Sequence, residues 1–261
     1  MSPETDSVVF ERTGRMRVWR RVDVPLAAVR DVVNQPGEIL KRNEKSCTKR
    51  VGAFVIKSSE GPIIVQLIKH TAQRARYRRG WRAALFLADH GIPAARPVAH
   101  VEWGSAGLIW RHATITEYIG GCRDVEHYYD ELVRRGGAPD VLNEYLKRIA
   151  DAVNALTATG AIHTDLAGKN ILTPDGEKFF FIDLDGIVLG EDLDESRRFQ
   201  LHVQLYDSFI DRCGDDDLAP FVRAMLPGND TPFDVWFARV KAAQAVRRSR
   251  TVAAWKREGK L

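Results

Sequence analysis

The sequence predicts an α+β protein of two lobes, a strand-rich N-terminal lobe followed by a mostly helical C-terminal lobe. Strand-like apolar runs separated by turn residues recur up to about residue 117. Beyond Gly120-Gly121 the apolar residues take up helical spacing. We therefore expect one lobe at residues 1–117 and a second at residues 118–261.

The first half contains strand-like segments and one helix candidate. Gly91 and Pro93 end that helix, which the pattern predicts over 72–91. The predicted strands cover 15–24, 37–40, 48–56, 62–70, 97–103 and 107–119, and SSEG (58–61) is the turn between the third and the fourth.

The second half has its clearest helix at 140–160, where apolar residues alternate at intervals of about three and four and Gly160 ends the pattern. The apolar stripe consists of Leu142, Leu146, Ile149, Val153 and Leu156. Further helices are predicted at roughly 195–213, 217–226 and 232–256.

The composition is that of an ordinary globular protein, with 44% apolar and 28% charged residues in 261. No apolar run approaches the roughly 20 residues of a membrane-spanning helix. The N-terminus lacks a signal-peptide pattern. The three cysteines are widely spaced and form neither a metal pair nor a disulfide framework. We expect a cytoplasmic protein.

The segment HTDLAGKNILTPDGEKFFFIDLDG (163–186) carries the candidate chemistry. Phosphoryl transfer needs metal ions, charge clamps and a positioned nucleophile. Magnesium prefers oxygen ligands and accepts one or two carboxylates beside phosphates and waters. Asn170 and Asp183 can supply such ligands, and Asp165 can accept the proton of an attacking hydroxyl. His163 is expected to be a structural support.

The spacing HxDLxxxN followed by IDxD resembles the protein-kinase-like superfamily. The stretch RRGWRAALFLADHGIPAARPVAHVEW (78–103) narrows the resemblance to bacterial lipopolysaccharide core kinases, which act on Kdo or heptose. The similarity covers about residues 36 to 210. It implies a bilobal kinase fold with a nucleotide-binding N-terminal lobe, ATP as donor and Mg2+ as metal.

The resemblance also implies a role for individual residues of the catalytic segment. Asp165 is the expected catalytic base and Asn170 a magnesium ligand. Asp183 matches the metal-binding aspartate of the DFG motif, which reads Asp183-Leu184-Asp185 here. Asp185 replaces the glycine and is expected to add a carboxylate to the metal site.

For the nucleotide, the resemblance implies a phosphate-binding lysine on the third strand of the small lobe. Lys69 is the first choice and Lys57, one strand earlier, is the alternative. The phosphate-covering turn at 42–48 contains no glycine, so Lys45 and Ser46 are the candidate donors there. The lobe connector ITEYI (115–119) would pair with adenine through its backbone from Glu117 to Ile119.

Several features depart from the protein-kinase pattern. The strand lysine of kinases pairs with a glutamate of the next helix, yet Asp89 is the sole acidic residue between Lys69 and Val101. A nucleotide-binding pseudokinase or scaffold therefore stays an alternative. Thr164 replaces the arginine of HRD and no APE motif follows, which favours a small-molecule or glycan kinase over a protein kinase.

Two basic stretches, 69–82 and the C-terminal tail, hold the excess positive charge. Clustered Arg and Lys attract phosphates and acidic sugars and anionic membrane surfaces. We expect ATP and an anionic glycan or glycolipid as partners, with possible peripheral contact at the cytoplasmic face of the inner membrane. No nucleic-acid module is recognised.

Together these observations predict an ATP-dependent kinase that phosphorylates a sugar hydroxyl of the lipopolysaccharide inner core, either Kdo or heptose. A small-molecule kinase of the aminoglycoside or choline type shares HxDxxxxN and IDxD and is the alternative among enzymes. Which hydroxyl is phosphorylated has no code in the sequence.

Overall fold

The structure, a computed structural model, describes residues 7–43, 46–59, 67–68, 78–190, 192–228 and 231–257. The chain divides into two compact units. The first consists of Met1–Gly120 together with Ile182–Ile187, and the second consists of Gly121–Phe181 and Val188–Leu261. The division falls close to the boundary expected at residue 117, but it also assigns the segment around Asp183 to the first unit.

The first unit is built on an antiparallel sheet to which seven of the described strands belong, in the order β1-β2-β6-β7-β5-β4-β3. Two helices, α1 (Leu26–Asn34) and α2 (Arg79–Asp89), belong to the same unit. The strands are β1 (Val8–Thr13), β2 (Met16–Arg21), β3 (Glu38–Arg42), β4 (Ser46–Val51), β5 (Phe54–Ser59), β6 (Pro97–Ser105) and β7 (Leu108–Glu117).

The core of this unit lies between α1 and the sheet. Val29 and Val33 of α1 join a buried apolar cluster with Ile56 of β5 and Ile115 of β7. Each fully buried side chain of this size contributes about 1.5–3 kcal/mol. The helix itself was not predicted, because it is only nine residues long and no side chain caps its start.

The predicted strand over 48–56 is in fact a hairpin. Val51 pairs with Phe54, so Gly52 and Ala53 form a two-residue loop between β4 and β5. Gly52 has a φ of +57°, which a two-residue hairpin loop requires at its first position and which glycine adopts without strain. A single glycine in an apolar run is too weak a signal to divide the predicted strand 48–56 into two.

The strand predicted over 62–70 is wrong where the structure describes it. Leu67 and Ile68 are helical. The apolar run there was short, and such runs do not distinguish a strand from a helix segment. As a result β5, and not the run at 62–70, is the third strand of the series β3–β4–β5.

The second unit is mostly helical in its described part, which confirms the α+β class. Its longest predicted stripe is present in α4, where Leu146, Ile149, Val153 and Leu156 are buried. The helices are α3 (Val125–Arg134), α4 (Pro139–Ala158), α5 (Glu195–Phe209), α6 (Asp215–Ala224) and α7 (Phe233–Arg257).

Short strands frame the segment that carries the predicted chemistry. A three-stranded sheet has the order β11-β10-β8, and β12 pairs with β9. These strands are β8 (Arg123–Asp124), β9 (Ala161–His163), β10 (Ile171–Thr173), β11 (Phe180–Phe181) and β12 (Ile187–Leu189).

Candidate active site

Lys57, on β5 of the first unit, holds its ammonium group against two carboxylates. Its Nζ atom lies 2.6 Å from Oδ1 of Asp183 and 2.5 Å from Oδ2 of Asp185. Burial alone lowers the pKa of Lys57, but Asp185 and Asp183 outweigh it and raise the pKa above its ordinary value. The group therefore remains a cation at every physiological pH.

Asp183 follows the short strand β11 in a strained backbone conformation. Its φ of +57° and ψ of +47° lie in the left-handed region, which is uncommon for residues other than glycine but tolerated by Asp and Asn. The 3-10 turn Leu184–Gly186 begins immediately after it, and the amide of Gly186 donates to the carbonyl of Asp183 at 3.1 Å. This turn directs the carboxylates of Asp183 and Asp185 to the same lysine.

The helix α2 contains no glutamate that could pair with Lys57. The start of this helix is attached to the sheet through an arginine. Arg78, just before the helix, donates from Nε and Nη2 to the two oxygens of Glu102 on β6 at 2.6 and 2.9 Å. Its guanidinium also lies 3.9 Å from the ring centroid of Trp19. Arg78 belongs to the basic stretch 69–82 that was expected to attract anionic partners. Its guanidinium instead attaches the start of α2 to Glu102 of the sheet.

The carboxylate of Glu102 is ionised in the interior of this unit. Burial alone raises the pKa of Glu102, but the neighbouring His100 and the bidentate Arg78 outweigh it and hold the pKa well below its usual range. His100 is itself fully buried, and one of its ring nitrogens lies 3.0 Å from the hydroxyl of Thr114. No local pattern in the sequence indicates this arrangement, because Arg78 lies 24 residues before Glu102.

In the second unit, Asp165 and Asn170 are joined directly. Nδ2 of Asn170 donates to the carbonyl oxygen of Asp165 at 2.7 Å and to its Oδ2 at 3.3 Å. Asn170 is buried whereas Asp165 is exposed. His163 is fully buried and its Nδ1 accepts from the amide of Asp165 at 3.3 Å, as expected of a structural support.

The helix α5 fixes the loop on both sides of Asp165, through residues that sequence reasoning missed. The side chain of Gln204 accepts from the amide of Leu166 at 2.6 Å and donates to the carbonyl of Thr164 at 2.9 Å. One turn later, the hydroxyl of Ser208 accepts from the amide of Gly168 at 2.9 Å. Two polar residues four apart on a helix were the only signal available for this contact.

Glu126 of α3 supports the same loop from another direction. Its Oε1 accepts from the amide of Lys169 at 3.2 Å, and its Oε2 lies 3.3 Å from Arg212. A Cβ added at Gly168 would lie 2.6 Å from Cγ of Glu126, so the loop approaches this carboxylate more closely than any larger residue allows. Burial raises the pKa of Glu126 despite the charge of Arg212.

The remaining predicted nucleotide contacts have different outcomes. Lys45 and Lys69 lie outside the described residues. The amide of Ser46 donates to Oδ1 of Asn43 at 2.8 Å. Glu117 ends β7, and its side chain accepts from Arg96 at 2.8 Å. Ile119 lies two residues beyond the end of that strand.

Asp183 in the first unit and Asn170 in the second each carry an oxygen donor of the kind that magnesium prefers, although the described residues contain no group of three or more His, Cys, Asp and Glu arranged to hold a metal. Such a group is not required, because magnesium in phosphoryl-transfer sites takes one or two carboxylates and completes its shell with phosphates and waters. Asp183 supplies a carboxylate. Since Nδ2 of Asn170 is committed to Asp165, its carbonyl oxygen is the group available as a ligand.

Comparison with known proteins assigns the family. The model of the lipopolysaccharide kinase (Kdo/WaaP) family matches residues 32–209. The chain belongs to this family. It is therefore a kinase, a phosphotransferase with a sugar hydroxyl as acceptor and ATP as donor, and the resemblance seen in the catalytic segment is confirmed.

A structural comparison agrees with the protein-kinase-like fold. The solved structure described as "WaaP in complex with acyl carrier protein" matches with a TM-score of 0.63 and 18% sequence identity, over 85% of this chain and 91% of that one. No curated protein matches the sequence of this lipopolysaccharide kinase. In the described part of the chain, no helix is long and apolar enough to cross a membrane.

Proposed function

We propose that this lipopolysaccharide kinase transfers the γ-phosphate of ATP to a hydroxyl of an inner-core sugar, either a heptose or Kdo. The pairing of Lys57 with Asp183 is the observation that carries the proposal. It joins a strand lysine to the aspartate that matches the DFG motif, which are the two groups that kinases use on nucleotide phosphates and metal.

Lys57 is the proposed phosphate-binding residue, in place of Lys69. The hairpin at Gly52 makes β5 the third strand of its series, and the family resemblance puts the lysine on that strand. The ammonium group is kept charged by Asp183 and Asp185. When the nucleotide binds, its phosphate oxygens supply further negative charge for the same cation.

Asp165 is the proposed catalytic base. Its carboxylate is exposed, so an acceptor hydroxyl can reach it, and its position is fixed by Asn170 and by the amide contacts of Gln204 on either side. Oriented in this way, Asp165 accepts the proton of the attacking hydroxyl and aligns that oxygen with the γ-phosphate. Orientation is the larger part of its contribution, since the transition state requires little covalent help.

Asn170 and Asp183 are the proposed ligands of Mg2+. When bound, the ion neutralises negative charge on the β- and γ-phosphates. The chain's own part is to hold an amide oxygen and a carboxylate in fixed places. Asn170 does so through its bonds to Asp165, and Asp183 does so through its left-handed backbone and the turn that follows.

The basic C-terminal helix is the proposed contact with the anionic glycolipid or the membrane surface that carries it, which would place the protein at the cytoplasmic face of the inner membrane. Two of its arginines are neutralised internally, since Arg247 lies 3.4 Å from Asp207 and Arg248 pairs with Asp211. Arg250 and Lys256 are exposed and remain for an external anion. Co-sedimentation with vesicles containing anionic lipid, compared with neutral vesicles, tests this contact.

The acceptor is tested by ATP consumption with magnesium in the presence of delipidated inner-core oligosaccharides that end in Kdo alone or carry heptose. Phosphate incorporation that depends on one of these acceptors and is lost in Asp165→Asn supports the proposal and identifies the sugar. ATP turnover that is indifferent to both sugars would contradict it.

A further inference from the structure

The carboxylate of Asp185 bridges Lys57 and the first turn of the helix α2. Its Oδ2 lies 2.5 Å from Nζ of Lys57. Its other oxygen faces the helix, because a Cβ added at Gly80 would lie 2.1 Å from Oδ1 of Asp185. One oxygen therefore pairs with Lys57 and the other lies close to Gly80, and both residues belong to the first unit.

Gly80 is what permits this approach. Any side chain at the second residue of α2 would collide with the carboxylate, since real Cβ atoms are not found under 3.0 Å from another heavy atom. Glycine in the first turns of a helix lowers the intrinsic stability by up to about 1 kcal/mol relative to alanine. The close contact with Asp185 explains why glycine is present at position 80 despite this cost.

The start of α2 also lacks a negative charge of its own. The residue before it, Arg78, forms no side-chain cap, and the first turn contains no acidic residue. The free amides and the positive end of the helix dipole favour an anion at this position. The carboxylate of Asp185 supplies one from a distant part of the sequence.

The helix can serve as a fixed support because its start is anchored to the sheet. Arg78 donates from Nε and Nη2 to the two carboxylate oxygens of Glu102, whose side chain is 2% exposed. Lys57 extends from β5 of the same sheet. Sheet, helix and the Asp183–Asp185 turn thus meet at one carboxylate.

We propose that Asp185 is the positioning residue for Lys57, and that it replaces the helix glutamate that protein kinases use for this purpose. The inference rests on the proposed role of Lys57 with nucleotide phosphates. It assigns Asp185 a different task from the magnesium ligand that the sequence motif suggested, because one carboxylate oxygen pairs with Lys57 and the other lies against the start of α2. It also accounts for the absence of a glutamate in α2.

The test compares nucleotide affinity in Mg2+ with affinity in EDTA, measured by calorimetry for the full-length chain. We expect Asp185→Asn to weaken ATP binding about tenfold under both conditions, with the half-saturating magnesium concentration unchanged. Gly80→Ala should act in the same direction, because its methyl group displaces the carboxylate. Gly214→Ala is the matched control, since a Cβ there meets nothing within 4 Å.

A double-mutant cycle separates this role from a general loss of structure. If Asp185 acts through Lys57, the effects of Lys57→Met and Asp185→Asn on ATP affinity in EDTA will be far from additive. Hydrogen exchange at the first amides of α2 provides a readout without nucleotide and should accelerate in Asp185→Asn. If Asp185→Asn is unstable, Gly80→Ala takes its place in both measurements, since its methyl group displaces the same carboxylate.

The opposite results overturn it. A raised magnesium requirement in Asp185→Asn, with affinity in EDTA unchanged, would make Asp185 a metal ligand. Additive effects in the cycle would remove the coupling to Lys57. If Lys57→Met alone leaves affinity and turnover intact, the proposed function of Lys57 fails first, and that result is distinguishable from a failure of Asp185.

Discussion

The Nζ atom of Lys57 lies 2.6 Å from Oδ1 of Asp183, although 126 residues separate the two in the sequence. The contact joins a residue of the large sheet to a residue that follows the segment of Asp165 and Asn170.

This contact predicts which of the two candidate lysines, Lys57 or Lys69, binds the nucleotide phosphates. We expect Lys57→Met to lower kcat/KM by about 10² or more, and Lys69→Met to have a much smaller effect. Steady-state ATPase assays with acceptor measure both, and a Lys57→Met enzyme of near-normal rate would contradict the assignment.

Replacing the proposed base should affect chemistry without affecting nucleotide binding. Asp165→Asn keeps an acceptor oxygen for Asn170 but cannot take a proton, so kcat should fall by about 10²–10⁴ while the Kd for ATP is unchanged. Asp151→Asn, an exposed position on α4, is the matched control and should retain the normal rate. Unchanged kcat in Asp165→Asn would exclude it as the base.

The left-handed backbone of Asp183 predicts that two inactive variants differ in stability. Asparagine adopts this conformation at a lower free-energy cost than alanine. We expect Asp183→Ala to lose about 1 kcal/mol more free energy of unfolding than Asp183→Asn, with turnover lost in both. Urea denaturation measures the difference, and equal stability of the two variants would show that the backbone at this position is unstrained.

Removing the side chain that fixes the catalytic loop should lower both stability and rate. Gln204→Ala leaves the buried amide of Leu166 without its acceptor, which costs about 1–3 kcal/mol, and frees the loop around Asp165. Gln244→Ala is the control, because it removes a side-chain hydrogen bond of similar length, to Asp207 at 2.8 Å, from a residue of α7 that is far from the loop in sequence. We expect kcat to fall only in Gln204→Ala; an equal fall in both variants would point to a general loss of structure.

A buried histidine predicts acid sensitivity in the second unit. Nε2 of His202 donates to the carbonyl of Met225 at 2.8 Å and Nδ1 accepts from Trp236 at 2.8 Å, and burial lowers the pKa of His202 to about 4. The unfolded value is about 6.5, so the stability from this group is present above pH 6.5 and is lost as the pH falls through 4.

This loss amounts to about 3 kcal/mol at most. Unfolding midpoints measured between pH 7 and pH 4 should fall less steeply in His202→Gln, which can still donate to Met225 and accept from Trp236. Identical pH profiles of the two proteins would remove His202 as the source of the sensitivity.

Much of the fold follows from local patterns, because strands and amphipathic helices carry their period in the sequence. The stripe of α4 and the strands β6 and β7 are examples. The hairpin at Gly52 was missed since one glycine is a weak signal, and that error moved the third strand from β5 to 62–70. The preference for Lys69 over Lys57 rested on that placement of the third strand, and Lys69 itself lies outside the described residues.

In the candidate site, too, some residues could be predicted from local patterns and others could not. The motif residues Asp165, Asn170 and Asp183 could be selected from their spacing alone, because all three lie within one short segment of the sequence. The partners that hold them could not. Gln204 contacts the loop around Asp165 from 38 residues away, and nothing in a single sequence states which side-chain amide will lie against which loop.

The composition of the first unit from Met1–Gly120 and Ile182–Ile187 has a consequence for protein synthesis. A nascent chain grows at about 5–20 residues per second, so the sheet emerges from the ribosome several seconds before Asp183 and Asp185 exist. During that interval Lys57 has neither carboxylate, and the start of α2 has no anion. The first unit of this kinase is therefore completed late, when the chain from Gly121 to Phe181 has already been made.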